Sequence, residues 1–250
     1  MKLSKKTIIM GFAALAILFC AAIRVQAVEK EEKFFGFIKG DDKQCKKEKI
    51  AYLTFDDGPS IYTEELLDVL NEYGISGIFF VLGAQFDYIP NADEILNRMV
   101  DEGHHIALHT MTHDKNTLYW SQNASANFVA EMLELRDEVA TRTGQVTNLC
   151  RAPYGKKGHF NATHYRAVED AGLHCIDWHV DSKDWAKKNA DEIYSEVVCE
   201  LKRFEDADEI VLLFHEYERT VEALPRVIEH LLDLGYTFKP YAPGKVFEGI

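Results

Sequence analysis

From residue 50 onward one unit recurs: a short apolar strand, a loop, an amphipathic helix, a glycine, and then the next strand. Ile50 to Phe55 is the first apolar run, and Leu66, Leu67, Leu70 and Tyr73 follow at helical spacing up to Gly74. Gly77 to Leu82 is the second strand. Ile95, Leu96 and Met99 lead to Gly103 and a strand from His105 to His109, and Phe128, Met132, Leu135 and Val139 lead to Gly144 and a strand from Thr147 to Arg151. A helix from about Ala162 ends at Gly172 before Leu173 to Trp178, and another from about Asp191 to Phe204 precedes Glu209 to Phe214. The last helix carries Val221, Leu224, Ile228 and Leu231 on one face and ends at Gly235, ahead of a closing strand from Tyr236 to Phe238. Five of these helices close on a glycine, which adopts the left-handed cap conformation at little cost. About seven alternations of strand and helix specify a parallel sheet, either closed as a (β/α) barrel or open and doubly wound.

Parallel α/β folds place their chemistry at the carboxyl ends of the strands. Read in order, those ends carry Asp56 and Asp57, then His109, then Arg151, then Asp181 and Asp184 just beyond Trp178, then His215. Asp56 and Asp57 stand side by side before a Gly58-Pro59 turn. Adjacent carboxylates repel, so their site supplies a cation or divides their roles, although a lone Asp-Asp-Gly serves equally well as a backbone cap. His109 and His113 lie four residues apart, a spacing that on a helical turn puts both imidazoles on one face where they can share an ion. Thr110 stands where the His-Glu-x-x-His pattern has its glutamate base, so a base must come from elsewhere, and the Asp56-Asp57 pair can provide both it and a third ligand. Two histidines, one carboxylate and an open position make up a hydrolytic zinc site. Arg151 can pair a carboxylate bidentately or sit on the surface above Pro153-Tyr154-Gly155. His215 can be a hydrogen-bonded core histidine, Asp184 a helix cap and Trp185 a packed ring. Each of these plain readings is reasonable alone; their joint occurrence in this order is what points to a site.

The combination resembles the polysaccharide deacetylase family, also called carbohydrate esterase family four or the NodB-homology domain, over about residues 48 to 240. Thr54-Phe55-Asp56-Asp57-Gly58-Pro59, His109-Thr110-x-x-His113, Arg151-x-Pro153-Tyr154, Asp184-Trp185 and Leu213-x-His215 resemble its five motifs in order. The resemblance implies a distorted, TIM-like (β/α) barrel of about seven strands in a catalytic domain over 48–250. It implies Asp57, His109 and His113 as ligands of one divalent metal ion, with zinc expected and cobalt, nickel or iron as alternatives. It further implies Asp56 as general base, Arg151 positioning it, His215 as general acid and Asp184 tuning that histidine. The Tyr154 backbone N–H would help bind the oxyanion, Trp185 would wall the groove and Leu213 would line an acetyl pocket. The reaction implied is removal of N-acetyl groups from an N-acetylglucosamine polysaccharide such as peptidoglycan. Alternatives are an O-acetyl esterase acting on xylan with the same site, and an inactive secreted carbohydrate-binding protein. Two departures stand out: Cys150 precedes Arg151 where an apolar residue is usual, and Glu216 follows His215 where Asp is common.

Residues 1–27 read as a secretory signal, with Lys2, Lys5 and Lys6 ahead of an apolar run from Ile8 to Ile23 and a small residue at Val25-Gln26-Ala27. An uncleaved membrane anchor is the alternative, and residues 28–47 form a lead-in segment. The expected location is therefore extracytoplasmic, at the cell wall. The 250 residues carry a formal charge of −13, which becomes −17 once the four basic side chains of residues 1–27 leave. An acidic surface disfavours nucleic acid, so an acetylated glycan is the expected partner, with no stable protein partner. Cys45, Cys150, Cys175 and Cys199 would remain after export, either as disulfides in one of three pairings or as small buried hydrophobes.

Overall fold

The computed structural model describes residues 48–247 and 249–250, within one compact unit, Glu48–Ile250. The expected signal, the lead-in segment and Cys45 lie outside the described residues. Eight strands form a single sheet in which every pair is parallel: β1 Lys49–Gly58, β2 Ile78–Val81, β3 His105–Leu108, β4 Leu149–Cys150, β5 His174–Cys175, β6 Val180–Asp181, β7 Glu209–His215 and β8 Tyr236–Phe238. Their order is β5-β4-β3-β2-β1-β7-β6, and β8 pairs with the start of β1. No ladder joins β5 to β6, so the wall curls without closing, as the expected distorted barrel does. The helices are α1 Thr63–Tyr73, α2 Gln85–Tyr88, α3 Ala92–Asp101, α4 Ala124–Thr143, α5 Ala162–Asp170, α6 Ala190–Leu201 and α7 Glu218–Asp233, with a single π-helical turn at Asn116–Trp120.

Strand residues alternate between two faces, and the two faces pack into two separate cores. Ala51, Leu53 and Phe55 of β1 join Phe79, Ile106, Leu108, Leu212 and Phe214 beneath the helices. Tyr52 instead joins Ile78, Phe80, Ala107, Leu149, Ile176 and Val211 inside the curl, where Phe247 of the C-terminal tail meets the Tyr52 ring edge-on at 5.0 Å. Two cores on opposite faces of one sheet are what a barrel requires. They also fix which residues of β1 point inward: Tyr52, Thr54 and Asp56.

Several local expectations need correction. The strand expected from Leu173 to Trp178 is only His174–Cys175, β5; residues 176–179 are irregular and the next strand, β6, begins at Val180. Among the described residues no disulfide forms: Cys150, Cys175 and Cys199 are free. Cys150 fills the apolar position before Arg151 as a buried thiol, registered directly against Cys175 on β5, whereas Cys199 is exposed on α6 rather than a core residue. No helix among the described residues is long and apolar enough to cross a membrane.

Candidate active site

A cleft of about 460 Å³ opens at the carboxyl ends of the strands, lined among others by Asp56, Asp57, His109, His113, Tyr154, Trp185, Leu213 and His215. The structure thus brings eight of the ten sequence-predicted site residues to one cavity, with Arg151 and Asp184 buried directly behind it.

Adjacent residues of a strand point to opposite faces, so Asp56 and Asp57 could not both reach this cleft from a regular β1. A bulge solves this. The register with β2 slips between Asp56, opposite Phe80, and Gly58, opposite Val81, and Asp57 takes a left-handed φ of 70°. A non-glycine residue in that region is strained, and here the strain turns its carboxylate to the same side as its neighbour's. Thr110 at φ 72°, His113 at 58° and Tyr154 at 65° are further left-handed residues, all in loops around the cleft.

The two histidines meet by a different route from the helical turn expected for their spacing. The segment His109–His113 is a loop, because left-handed backbone at Thr110 and His113 cannot continue a helix. Thr110 Oγ1 accepts from the His113 N–H at 3.1 Å, and Glu131 on α4 accepts from the Met111 and Thr112 N–H groups at 3.1 and 3.0 Å. This brings His109 Nε2 and His113 Nε2 to 3.4 and 3.5 Å from Asp57 Oδ1, and one ligating atom from each of the three residues lies within 4.8 Å of the others.

The donor set fits a cation on chemical grounds. His109 Nδ1 lies 3.0 Å from the Arg151 carbonyl, which only accepts, so Nδ1 carries the proton and Nε2 presents a lone pair toward Asp57. Burial drives the His109 pKa down to about 3 against the pull of the Asp57 charge, so near neutral pH no second proton covers that lone pair. Asp57 Oδ1 is itself buried without a hydrogen-bond partner. Lone pairs converging on one point without a proton between them suit a metal ion.

Behind this cluster Asp56 Oδ1 accepts from Arg151 Nη1 at 2.7 Å. The guanidinium is fully buried, donates also to Thr54 Oγ1 at 2.8 Å and to the Asp177 carbonyl at 3.0 Å, and lies 4.0 Å over the Phe80 ring. Burial raises the Asp56 pKa, and the nearby Arg151 charge and hydrogen bond only partly offset it.

Across the cleft His215 Nδ1 sits 2.7 Å from Asp184 Oδ1. Asp184 is fully buried; its other oxygen accepts from the His215 N–H at 2.6 Å and from Thr220 Oγ1 at 2.8 Å. Burial pulls the His215 pKa down, but the Asp184 hydrogen bond and charge, joined by Asp56 and Asp57, outweigh it and push the value up to about 9. Sequence reasoning quoted Thr54 and Glu216 beside the motifs without giving either a role, and it missed Glu131 and Thr220. Glu216 is buried and accepts from the Ser60 N–H at 3.0 Å and from Thr63 Oγ1, so it clamps the loop that follows Asp57. A threonine or glutamate gives no local signal of such long-range bracing.

The polysaccharide deacetylase family model matches residues 43–176, more than half the chain. The chain is 33% identical over 199 residues to a peptidoglycan-N-acetylglucosamine deacetylase of Bacillus cereus, covering 78% of this chain and 70% of that one. It is also 33% identical over 213 residues to a chitooligosaccharide deacetylase of Bradyrhizobium, covering 76% and 88%. The crystal structure of the polysaccharide deacetylase Bc1974 from Bacillus cereus superposes with a TM-score of 0.71 at 32% identity, over 80% of this chain and 95% of that one. This protein belongs to the polysaccharide deacetylase family.

Proposed function

We propose that this chain is a metal-dependent hydrolase that removes N-acetyl groups from an N-acetylglucosamine polysaccharide, with peptidoglycan as its substrate. The observation that carries the reading is the pairing, within one cleft, of a lone-pair cluster at Asp57, His109 and His113 with a protonated imidazole at His215. The names of two relatives, a peptidoglycan-N-acetylglucosamine deacetylase and a chitooligosaccharide deacetylase, support the same substrate type.

A divalent cation, zinc by its donor set, would be held by Asp57, His109 and His113 and would polarise the amide carbonyl and make water more acidic. Asp56 accepts the proton of the attacking water. Its raised pKa makes it a better base than an exposed aspartate, while Arg151 fixes the carboxylate and favours its charged form against burial. The Tyr154 N–H takes part of the negative charge on the tetrahedral oxygen. His215 holds one proton against Asp184 and delivers the other to the departing amine, so the C–N bond breaks with a neutral leaving group and acetate remains. Leu213 receives the acetyl methyl and Trp185, 59% exposed, flanks the sugar. Residues 1–27 direct export, which brings the domain to the cell wall where such a glycan lies.

The test is acetate release from acetylated glycans, with metal-loaded and chelator-stripped protein side by side. Release that depends on the metal is expected. Equal release after stripping would refute the metal role, and none from either form would refute the deacetylase reading.

A further inference from the structure

Outward from the metal cluster runs a continuous row of rings and one cation. The His113 ring packs 4.6 Å from the Tyr154 ring; Lys115 Nζ lies 4.7 Å over that same tyrosine and 5.3 Å over Trp120. Tyr154 is half exposed and Trp120 is 66% exposed, so both present a ring to solvent at the cleft rim. Among the described residues no carboxylate pairs with Lys115. Its neighbour Asp114 is occupied instead, accepting from the Asn116 and Thr117 N–H groups at 3.2 and 3.1 Å and from Thr117 Oγ1 at 2.5 Å.

Those bonds start the π-helical turn Asn116–Trp120, a rare local geometry that recurs at functional sites. Ser121 Oγ donates to the Thr117 carbonyl at 2.9 Å, and Asn127 Nδ2 donates to Ser121 Oγ at 3.1 Å, tying the turn to α4. Trp120 is therefore held out at the rim by built structure. In a chain of formal charge −13, whose cleft already contains Asp56, Asp57 and Asp181, the Lys115 ammonium adds a positive charge that no carboxylate among the described residues takes up. The two aromatic faces hold it in place and leave its charge available to a ligand.

We propose that Tyr154, Lys115 and Trp120 form a subsite for the sugar unit next to the one being deacetylated, and that it selects glycans carrying a carboxylate on that unit. The rings accept the C–H face of the sugar, as amphipathic aromatics at binding surfaces do, and Lys115 pairs with the carboxylate. The inference rests on the deacetylase reading and assigns to three named residues the preference for an acidic polymer, such as the proposed peptidoglycan, over a neutral one. The carboxylate can sit on the sugar itself or on a peptide attached to it.

The experiment measures kcat and KM of the metal-loaded protein on three substrates: neutral chitooligosaccharides, peptidoglycan strands with their peptides, and strands stripped of peptides so that the sugar carboxylate is free. Lys115→Gln should lower the acidic-to-neutral ratio of kcat/KM by about two- to fivefold, the scale of one exposed charge pair. The loss should lie in KM, and Lys115→Arg should restore the ratio. A drop only on stripped strands places the carboxylate on the sugar, a drop only on peptide-bearing strands places it on the peptide, and a drop on both shows that a carboxylate at either position reaches Lys115. Trp120→Ala should raise KM on all three substrates. Independently of any variant, raising salt should raise the wild-type KM for acidic strands more than for chitooligosaccharides. Equal effects of Lys115→Gln on acidic and neutral glycans, or a salt response that is the same for both, would overturn the subsite and leave the deacetylase reading standing. Failure of the wild type to release acetate from all three would overturn that reading and the subsite with it.

Discussion

The cleft holds an imidazole–carboxylate pair on each side, and the two sides treat the same chemistry in opposite ways. His109 and His215 are both largely buried, His109 facing Asp57 and His215 facing Asp184, yet one pKa falls to about 3 and the other rises to about 9. The difference lies in what the ring nitrogens touch. His109 donates Nδ1–H to a neutral carbonyl, and its Nε2 is 3.4 Å from Asp57 without a hydrogen bond. His215 donates directly to a buried carboxylate at 2.7 Å, which Thr220 and a backbone N–H also anchor. Burial alone strips a histidine of its proton, and only a short bond to a fixed anion restores it. One side is thereby suited to offer lone pairs, the other to offer a proton.

The largest effect comes from removing the lone-pair side. Asp57→Ala or His109→Ala should abolish activity and stoichiometric metal together, with metal content read by elemental analysis. Retained metal in either variant would break the assignment of that side. Asp56→Asn should keep the metal, because Asp56 stands behind the cluster, yet lose about 10²- to 10⁴-fold in kcat as the proposed general base disappears. Near-normal turnover would show that the proton goes elsewhere.

How legible these two sides were in the sequence differs in an instructive way. The strand–helix–glycine period was readable because each element has a hydrophobic repeat and a punctuating glycine, and the motif residues were readable because the strand ends all ionise. The bulge that aims Asp57 was not, since a register slip is decided by the neighbouring strand's hydrogen bonds. The same limit applies to the His109–His113 loop, whose four-residue spacing fits a helical turn until Glu131, twenty residues from Met111, claims its N–H groups. The brief strands β4, β5 and β6 carry too few residues for periodicity to mark their ends. Long-range bracing by Thr54, Thr220 and Glu216 leaves no local trace at all.

A smaller effect should separate the proton side. Asp184→Asn removes the charge that raises His215, so kcat should fall at neutral pH and the alkaline limb of the pH–rate profile should move toward acid. In the metal-free protein the two histidines also pull stability in opposite directions. His215 contributes stability that is complete below its ordinary value near 6.5 and is lost as pH rises through about 9. His109, lowered to about 3, contributes stability present above 6.5 and lost as pH falls through the window from 6.5 toward 3. Urea midpoints across pH should therefore peak between these windows, and Asp184→Asn should flatten the alkaline slope only. An unchanged alkaline slope in that variant would mean His215 does not carry the extra proton.

The smallest effect tests what joins the two sides. Glu216 follows His215 in sequence and clamps the turn after Asp57, and burial pushes its carboxyl up to about 7 against the hydrogen bonds from Thr63 and Ser60. A Cβ at Gly58 would lie 2.0 Å from Glu216 Oε1, while Gly58 itself is not in the left-handed region. Its glycine is thus dictated by the glutamate rather than by its own backbone. Gly58→Ala should destabilise by about 1–3 kcal/mol as an overpacked site. Glu216→Asp withdraws the carboxylate by one methylene and makes room for the methyl group. In that background the cost of Gly58→Ala should shrink by ~1 kcal/mol, a coupling that a double-mutant cycle in urea resolves. Strict additivity of the two substitutions would show that Glu216 does not set the shape of the turn, and that the metal side and the proton side are built independently.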